Sequence, residues 1–153
     1  MQCTHFADTS VLAEQQGQIV GFISGYLMPS QPDTLFIWQV AVSDSCRGQG
    51  LASQMLEQIL RRPFCAQVTQ LETTVTAANE ASKALFQRLA AKLNADLASK
   101  TLFDSERHFC GEHDTEHLLR IGPFHNLYAK LAAVPSTSAT SVSENTSRGS
   151  KTL

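Results

Sequence analysis

The stretch of residues 38–52 constrains the fold more than any other part of the chain. It begins as an apolar segment typical of a buried strand, continues through a polar turn, and reaches Arg47-Gly48-Gln49-Gly50 just before an amphipathic helix. Glycines between a strand and a helix allow backbone N–H groups to approach a ligand without an intervening Cβ. The helix N-terminus adds unpaired donors and partial positive charge. This arrangement predicts a binding site for a diphosphate group.

The spacing of this loop excludes two common phosphate-binding motifs. A dinucleotide-binding loop has three glycines in another register, and a Walker loop ends in Gly-Lys-Ser/Thr. Arg47-x-x-Gly50-x-Ala52 resembles instead the Arg/Gln-x-x-Gly-x-Gly/Ala motif with which GNAT N-acetyltransferases hold the pyrophosphate of acetyl-CoA. The resemblance implies that six consecutive residues bind this cofactor: Arg47, Gly48, Gln49, Gly50, Leu51 and Ala52.

Composition limits the class of protein. A chain of 153 residues with 42% hydrophobic and 17% charged residues indicates one globular domain with a sizeable core. The net charge of -2 argues against a nucleic-acid partner but allows local binding of an anionic cofactor. A signal peptide and an apolar run of membrane length are both lacking, which predicts a cytoplasmic protein without a membrane partner. Four widely spaced cysteines are then expected to be reduced, with a disulfide pair as the alternative: Cys3, Cys46, Cys65 and Cys110.

Hydrophobic periodicity predicts an α+β or mixed α/β fold. Six strands are expected, at residues 9–14, 18–27, 34–42, 68–76, 96–103 and 116–121. The first three form an antiparallel meander, and the apolar third strand is expected to be covered on both faces. Gly21 and Gly25 suggest a bulge or a close backbone approach in the second strand.

Two helices interrupt the strands. The first starts near Leu51 and ends before Pro63, and the second follows Asn79 as its N-cap. Because a helix joins the third and fourth strands, a right-handed crossover makes them parallel. The sheet is therefore of mixed direction and is not a Rossmann fold. Residues 132–153 are rich in Ser and Thr and are predicted to form a disordered tail beyond a domain at 1–131.

A second motif also resembles the GNAT family. The fourth strand is followed by Asn79-x-x-Ser82-x-x-Leu85-Phe86. In that family the matching Asn and Ser meet the pantetheine and phosphate arms of coenzyme A, and the central parallel strands splay to admit the thioester. The resemblance implies the GNAT acyl-CoA N-acyltransferase fold, with a mixed, mostly antiparallel sheet flanked by helices. It also implies that Val40 and Val42 offer backbone groups to the pantetheine and the thioester carbonyl.

Longer strings over roughly residues 2–124 resemble one branch of this family, the L-2,4-diaminobutyrate acetyltransferases of ectoine biosynthesis. The implied reaction moves acetyl from acetyl-CoA to the γ-amine of L-2,4-diaminobutyrate by direct attack, without a cysteine nucleophile, and the implied assembly is a homodimer. The most specific strings are Trp38-Gln39-Val40-Ala41-Val42 and Leu71-Glu72-Thr73-Thr74-Val75-Thr76; the others are His5-Phe6-Ala7-Asp8-Thr9, Ile19-Val20-Gly21-Phe22-Ile23-Ser24-Gly25-Tyr26, Arg47-Gly48-Gln49-Gly50-Leu51, Leu102-Phe103-Asp104 and Arg120-Ile121-Gly122-Pro123-Phe124.

Four residues are candidates for the acceptor side of the site. Composition alone favours a core position for Trp38, whereas the resemblance implies that it walls the substrate pocket. Glu116 is by default a surface acid, and by resemblance binds a substrate ammonium group and steers its deprotonation through water. His113 is by default a loop residue and by resemblance lines the pocket. Glu72 lies in an apolar strand, must therefore be paired or exposed, and is the second candidate for a base.

A zinc-protease pattern competes with these motifs. His113-x-x-Glu116-His117 fits it in inverted form, but strand-like residues follow, so no metal is predicted.

Two features depart from the family pattern. Many GNAT enzymes have a Tyr acid where this chain has Phe86. The family's first strand and two helices are not found before His5, which implies either a misassigned start codon or a truncation, so weak acetyl-CoA binding and poor activity are expected of these 153 residues alone. The alternatives are a GNAT enzyme for another small amine and an inactive coenzyme A-binding remnant.

Overall fold

In a computed structural model of the chain, residues 7–103 and 115–128 are described, and they form one mixed sheet with two helices on it. The strands are β1 Val11–Gln15, β2 Gln18–Met28, β3 Gln31–Val42, β4 Gln70–Thr76, β5 Leu97–Phe103 and β6 Glu116–Ile121. The helices are α1 Leu51–Leu60 and α2 Glu80–Lys92. The predicted tail at 132–153 lies outside the described residues.

The strand order is β1-β2-β3-β4-β6-β5. Strands β1, β2 and β3 form the predicted antiparallel meander, and β3 and β4 are parallel as the crossover requires. Strand β6 lies between β4 and β5 and is antiparallel to both. The mixed, mostly antiparallel sheet is therefore confirmed, with its parallel pair at the centre.

The core lies between one face of the sheet and the two helices. Successive strand residues point to opposite faces, and Leu35, Ile37, Leu71 and Val75 of the central strands belong to a single buried cluster. The helices add their apolar stripes, with spacings of three and four residues. These stripes consist of Met55, Leu56, Ile59, Leu60, Leu85, Phe86, Leu89 and Ala90. Because the helices share this cluster and contact each other, they cover the same face, which we call the helix face.

Two expectations about β3 are wrong. The strand begins at Gln31 rather than residue 34. A register shift between Leu27 and Met28 leaves residues 32–34 without a partner in β2, and Pro32, which has no N–H to donate, falls in this stretch. The expected covering of both faces is also not seen among the described residues, since Trp38 and Gln39 are exposed. Helix α1, in contrast, ends at Leu60, before Pro63, as predicted. Pro63 then begins a short 3-10 turn.

The predicted close approach at Gly25 is confirmed. A Cβ at this position would lie 2.7 Å from the carbonyl oxygen of Phe36, and the Thr9 hydroxyl donates to the Gly25 carbonyl over 2.6 Å. Thr9 lies in a 3-10 turn rather than in β1. The β2–β3 register shifts at this point, so that Ser24 pairs with Gln39 and Gly25 with Ile37. Trp38 is therefore the extra residue of a bulge in the middle of β3.

Candidate active site

The loop between β3 and α1 has the conformation that its glycines predicted. Gly48 and Gly50 have φ values of 73° and 77°, in the region that favours glycine. Gly50 is the N-cap of α1, and its carbonyl accepts the first helical hydrogen bond from Gln54 N–H over 3.1 Å. Glycine has no side chain to cap the following amides, so the first turn of α1 keeps free donors for a ligand.

These donors face a cavity of about 760 Å³ that also reaches the start of α2. Nine of the ten residues predicted to bind the cofactor line it: Val40, Val42, Arg47, Gly48, Gly50, Leu51, Ala52, Asn79 and Ser82. Gln49 is the exception, because its side-chain amide donates to the Ser45 carbonyl over 3.1 Å. A helix N-terminus beside glycine-rich backbone favours an anion, so the cavity fits a diphosphate-containing cofactor.

Side chains around this cavity are held by local contacts. The Asn79 carboxamide oxygen accepts from Ser82 N–H over 3.1 Å, which confirms Asn79 as the N-cap of α2. Arg47 forms an exposed ion pair with Asp44 at 3.1 Å. Because exposed ion pairs contribute little, the guanidinium is available to a phosphate. Arg88 of α2 adds a second cation to the cavity lining.

The parallel strands separate beside this cavity. Pairing of β3 with β4 stops at Ile37 and Thr73, although β3 continues to Val42 and β4 to Thr76. The bulge at Trp38 lies directly after the last pair. A bulge bends a strand and increases its twist, which accounts for the separation.

A second cavity, of about 260 Å³, occupies the gap between the strands. Its lining includes residues from both faces of the sheet. Ile37, Val75 and Phe86 belong to the core on the helix face. Thr74 points the other way, because it lies between buried Thr73 and Val75. Gln39 shares this side, because it pairs with Ser24, which follows the core residue Ile23 in β2, and we call this side the open face. The cavity therefore passes through the sheet, and we call it the passage.

Trp38 lies at the open-face end of the passage. It lines this cavity and is 59% exposed, so the core position favoured by composition is wrong. Phe86 lines the passage from α2 and is buried. Its ring has no hydroxyl, so it offers no acid at this position.

The two candidate acids lie near the passage on the open face. Thr74 pairs with Leu118, while Thr76 pairs with Glu116, so Glu116 lies two residue pairs from Thr74, about 7 Å in the direction of the strand. Glu72 lies two pairs away in the opposite direction. His113 lies outside the described residues.

Glu72 forms an ion pair, which is one of the two states, paired or exposed, that its position in an apolar strand required. Its side chain is 5% exposed, and Oε1 accepts from Arg120 Nε over 2.6 Å and also contacts Arg120 Nη2. The ion pair offsets the desolvation of the carboxylate. The same pair balances the negative charge of the Glu72 carboxylate with the positive charge of the Arg120 guanidinium. The role of Glu72 as a base stays a prediction.

The sequence of this chain matches one family of known proteins. The model of the acetyltransferase (GNAT) family matches residues 2–91. The L-2,4-diaminobutyric acid acetyltransferase of Methylotuvimicrobium alcaliphilum is 50% identical over 124 residues, which are 81% of this chain and 72% of that protein. The chain is a GNAT acetyltransferase. The enzyme of the same name from Vibrio parahaemolyticus is also 50% identical, over 79% of this chain and 67% of its own length.

A solved structure gives the same assignment for this GNAT acetyltransferase. Diaminobutyrate acetyltransferase EctA from Paenibacillus lautus, in complex with L-2,4-diaminobutyric acid and coenzyme A, is 41% identical with a TM-score of 0.74. The match covers 78% of this chain and 73% of that one. The predicted GNAT fold, the acetyl-CoA-dependent N-acetyltransferase class and the resemblance to diaminobutyrate acetyltransferases are confirmed.

Sequence reasoning missed three residues of the acetyltransferase site. Arg88 lines the cofactor cavity, and its place two helical turns after Ala81 puts it on the same side of α2. That spacing was a usable signal. Gln39 and Thr74 line the passage. Both lie in the strings that carry the resemblance, but those strings do not show that the two side chains meet, since their meeting depends on where the β3–β4 pairing ends.

The metal pattern finds no support in the described residues. Glu116 and His117 are consecutive in β6 and point to opposite faces. Within 7–103 and 115–128, no group of three His, Cys, Asp or Glu side chains is placed to hold a metal ion. No helix in these same ranges is long and apolar enough to cross a membrane.

The two described cysteines are free and buried. Cys46 lines the cofactor cavity beside the loop, and its thiol lies 3.6 Å from the Gln15 side-chain oxygen. Burial raises the pKa of the Cys65 thiol to about 11. Neither residue lines the passage, so neither thiol is placed to attack a thioester there.

Proposed function

We propose that this chain transfers acetyl from acetyl-CoA to the γ-amine of L-2,4-diaminobutyrate. The product, N4-acetyl-L-2,4-diaminobutyrate, is the compound that a synthase cyclises to ectoine. The passage through the sheet carries this proposal, because it joins a diphosphate-binding cavity on the helix face to an open face where an amine can arrive. The identity to relatives that carry this activity in their names supports the choice of amine.

Acetyl-CoA would enter from the helix face. The amides of the first α1 turn and the Arg47 and Arg88 guanidinium groups suit its phosphates. The pantetheine would run along the unpaired edge of β3, where Val40 and Val42 offer backbone groups no longer used by β4. A free N–H at this edge would stabilise the oxyanion that develops on the thioester carbonyl.

The amine would attack from the open face. The Trp38 ring is exposed there and would attract the ammonium form before it loses its proton. Glu116 lies about 7 Å further along, a distance that suits an ammonium contact or a proton transfer through water. We keep His113 and Glu72 as predicted members of the site, the former in substrate binding and the latter as a second base. A direct transfer fits the placement of Cys46 away from the passage.

Product analysis of the purified chain with acetyl-CoA tests this function. Initial rates are compared for L-2,4-diaminobutyrate, ornithine, lysine and putrescine, and two-dimensional NMR assigns the acetylated nitrogen. The proposal requires the highest kcat/KM for diaminobutyrate and acetylation at N4. A higher value for another amine supports the alternative GNAT enzyme. Coenzyme A binding by calorimetry without any turnover supports an inactive remnant. The homodimer and the cytoplasmic location also remain predictions.

A further inference from the structure

The passage contains no charged side chain among its described lining residues. Its polar lining on the helix face is Asn79 and Ser82, at the cofactor end. The Thr73 hydroxyl donates to the Ile37 carbonyl over 3.0 Å and is already used. Trp38 offers only a donor N–H, so Gln39 and Thr74 are the side-chain acceptors that meet an amine arriving from the open face.

Charged groups lie close to the passage but outside it. On the open face, Glu116 is two residue pairs from Thr74 on one side, and Glu72 with its partner Arg120 is two pairs away on the other. On the helix face, Arg88 lines the cofactor cavity and not the passage. Neutral side chains thus surround the point of attack, and the nearest carboxylate without a described ion pair is displaced from it along β4.

This distribution of charge matters because only a neutral amine has a lone pair for attack. A carboxylate within about 4–6 Å of an amine favours its protonated form and raises its pKa by one or more units. A neutral oxygen accepts an N–H bond without a comparable preference for the ammonium form. Neutral acceptors at the passage therefore suit the attacking state, whereas a carboxylate farther out suits capture of the ammonium ion.

We propose that the Gln39 side-chain oxygen and the Thr74 hydroxyl oxygen accept the two N–H bonds of the neutral amine and direct its lone pair toward the thioester carbonyl. The inference rests on the proposed function. During transfer the N–C bond forms and the C–S bond breaks, and the sulfur leaves with the bonding electron pair. The proton released by nitrogen is balanced by formation of the coenzyme A thiol. Orientation of this kind lowers the barrier by fixing the attack geometry.

The charge argument is tested with Gln39→Glu, which keeps the size of the side chain and adds a carboxylate. Gln58→Glu is the matched control, because Gln58 is exposed on α1 and lines neither cavity. We expect the acidic limb of the kcat profile, which reports ionisations of the enzyme–substrate complex, to move up by about one pH unit in Gln39→Glu alone. Activity then recovers at high pH, which a folding defect would not produce.

The orientation argument is tested with Thr74→Val and Thr74→Ser. Loss of one oriented hydrogen bond lowers kcat by about tenfold in Thr74→Val, the KM for acetyl-CoA stays unchanged, and Thr74→Ser restores the rate. A wild-type pH profile in Gln39→Glu, or a wild-type kcat in Thr74→Val, overturns this inference. In either case, acetylation of diaminobutyrate by the wild type still supports the proposed function. If another amine is the substrate, the same variants are measured with it. Absence of any acetylation overturns both proposals.

Discussion

Replacement of Gly50 by alanine separates the conformational requirement of the loop from simple crowding. Gly50 has φ +77°, and no atom lies within 4 Å of the position that a Cβ would take. Alanine therefore fits sterically but must adopt the left-handed region, which costs about 1–2 kcal/mol. If the loop keeps its conformation, this energy lowers the free energy of unfolding. If the loop relaxes instead, coenzyme A must restore it, and the same energy weakens binding by about 5- to 30-fold.

Gly17 provides the matched control for this experiment. It lies in the β1–β2 turn, also has φ +77°, also has open space around its Cβ position, and lines neither cavity. Urea unfolding and calorimetry with coenzyme A are measured for wild type, Gly50→Ala and Gly17→Ala. In Gly50→Ala, we expect the loss in free energy of unfolding and the loss in coenzyme A binding free energy to sum to about the loss in free energy of unfolding of Gly17→Ala. The Gly17→Ala variant is expected to bind coenzyme A as the wild type does. Unchanged stability and affinity in Gly50→Ala, or equal weakening of binding in Gly17→Ala, would refute the reasoning.

Three further substitutions probe other parts of the account. Asn79→Ala removes the N-cap of α2 and is expected to lower the free energy of unfolding by about 1 kcal/mol, whereas Asn79→Asp retains the acceptor; urea titrations compare them. Trp38→Ala removes an exposed ring, so the melting temperature should hold while the KM for diaminobutyrate in steady-state assays rises by about tenfold and that for acetyl-CoA does not. Burial raises the Cys65 pKa from 9.0 to about 11, so the folded state retains its proton longer than the unfolded state and stability falls as pH rises through this interval. Cys65→Ala should show a smaller fall between pH 8.5 and 10.5, and an equal fall would contradict this cause.

The parts of the fold and site that sequence predicted are those in which neighbours in the chain act together. The loop at Arg47–Gly50, the N-cap at Asn79 and the strand–helix–strand order all follow from short segments whose backbone preferences are local. The cofactor cavity could also be predicted from local sequence, because most of its lining comes from the loop and the two helix starts that flank it. Glycine conformations and helix termini are physical constraints that a single sequence displays directly.

Non-local pairing explains what sequence reasoning did not find. Composition favoured a core position for Trp38, but its exposure results from a bulge set by pairing with Ser24 and Gly25. Glu72 required a partner, yet nothing local indicated Arg120, which lies 48 positions later and meets it through the β4–β6 register. A register error of one residue would move every such side chain to the opposite face.

A crystal structure of this chain with coenzyme A and L-2,4-diaminobutyrate tests the central claim most directly. The account predicts the diphosphate on the amides of the first α1 turn, the sulfur in the passage between the separated ends of β3 and β4, and the γ-amine on the open face beside Trp38. Coenzyme A bound elsewhere, or β3 and β4 hydrogen-bonded to their ends with the amine on the helix face, would contradict it.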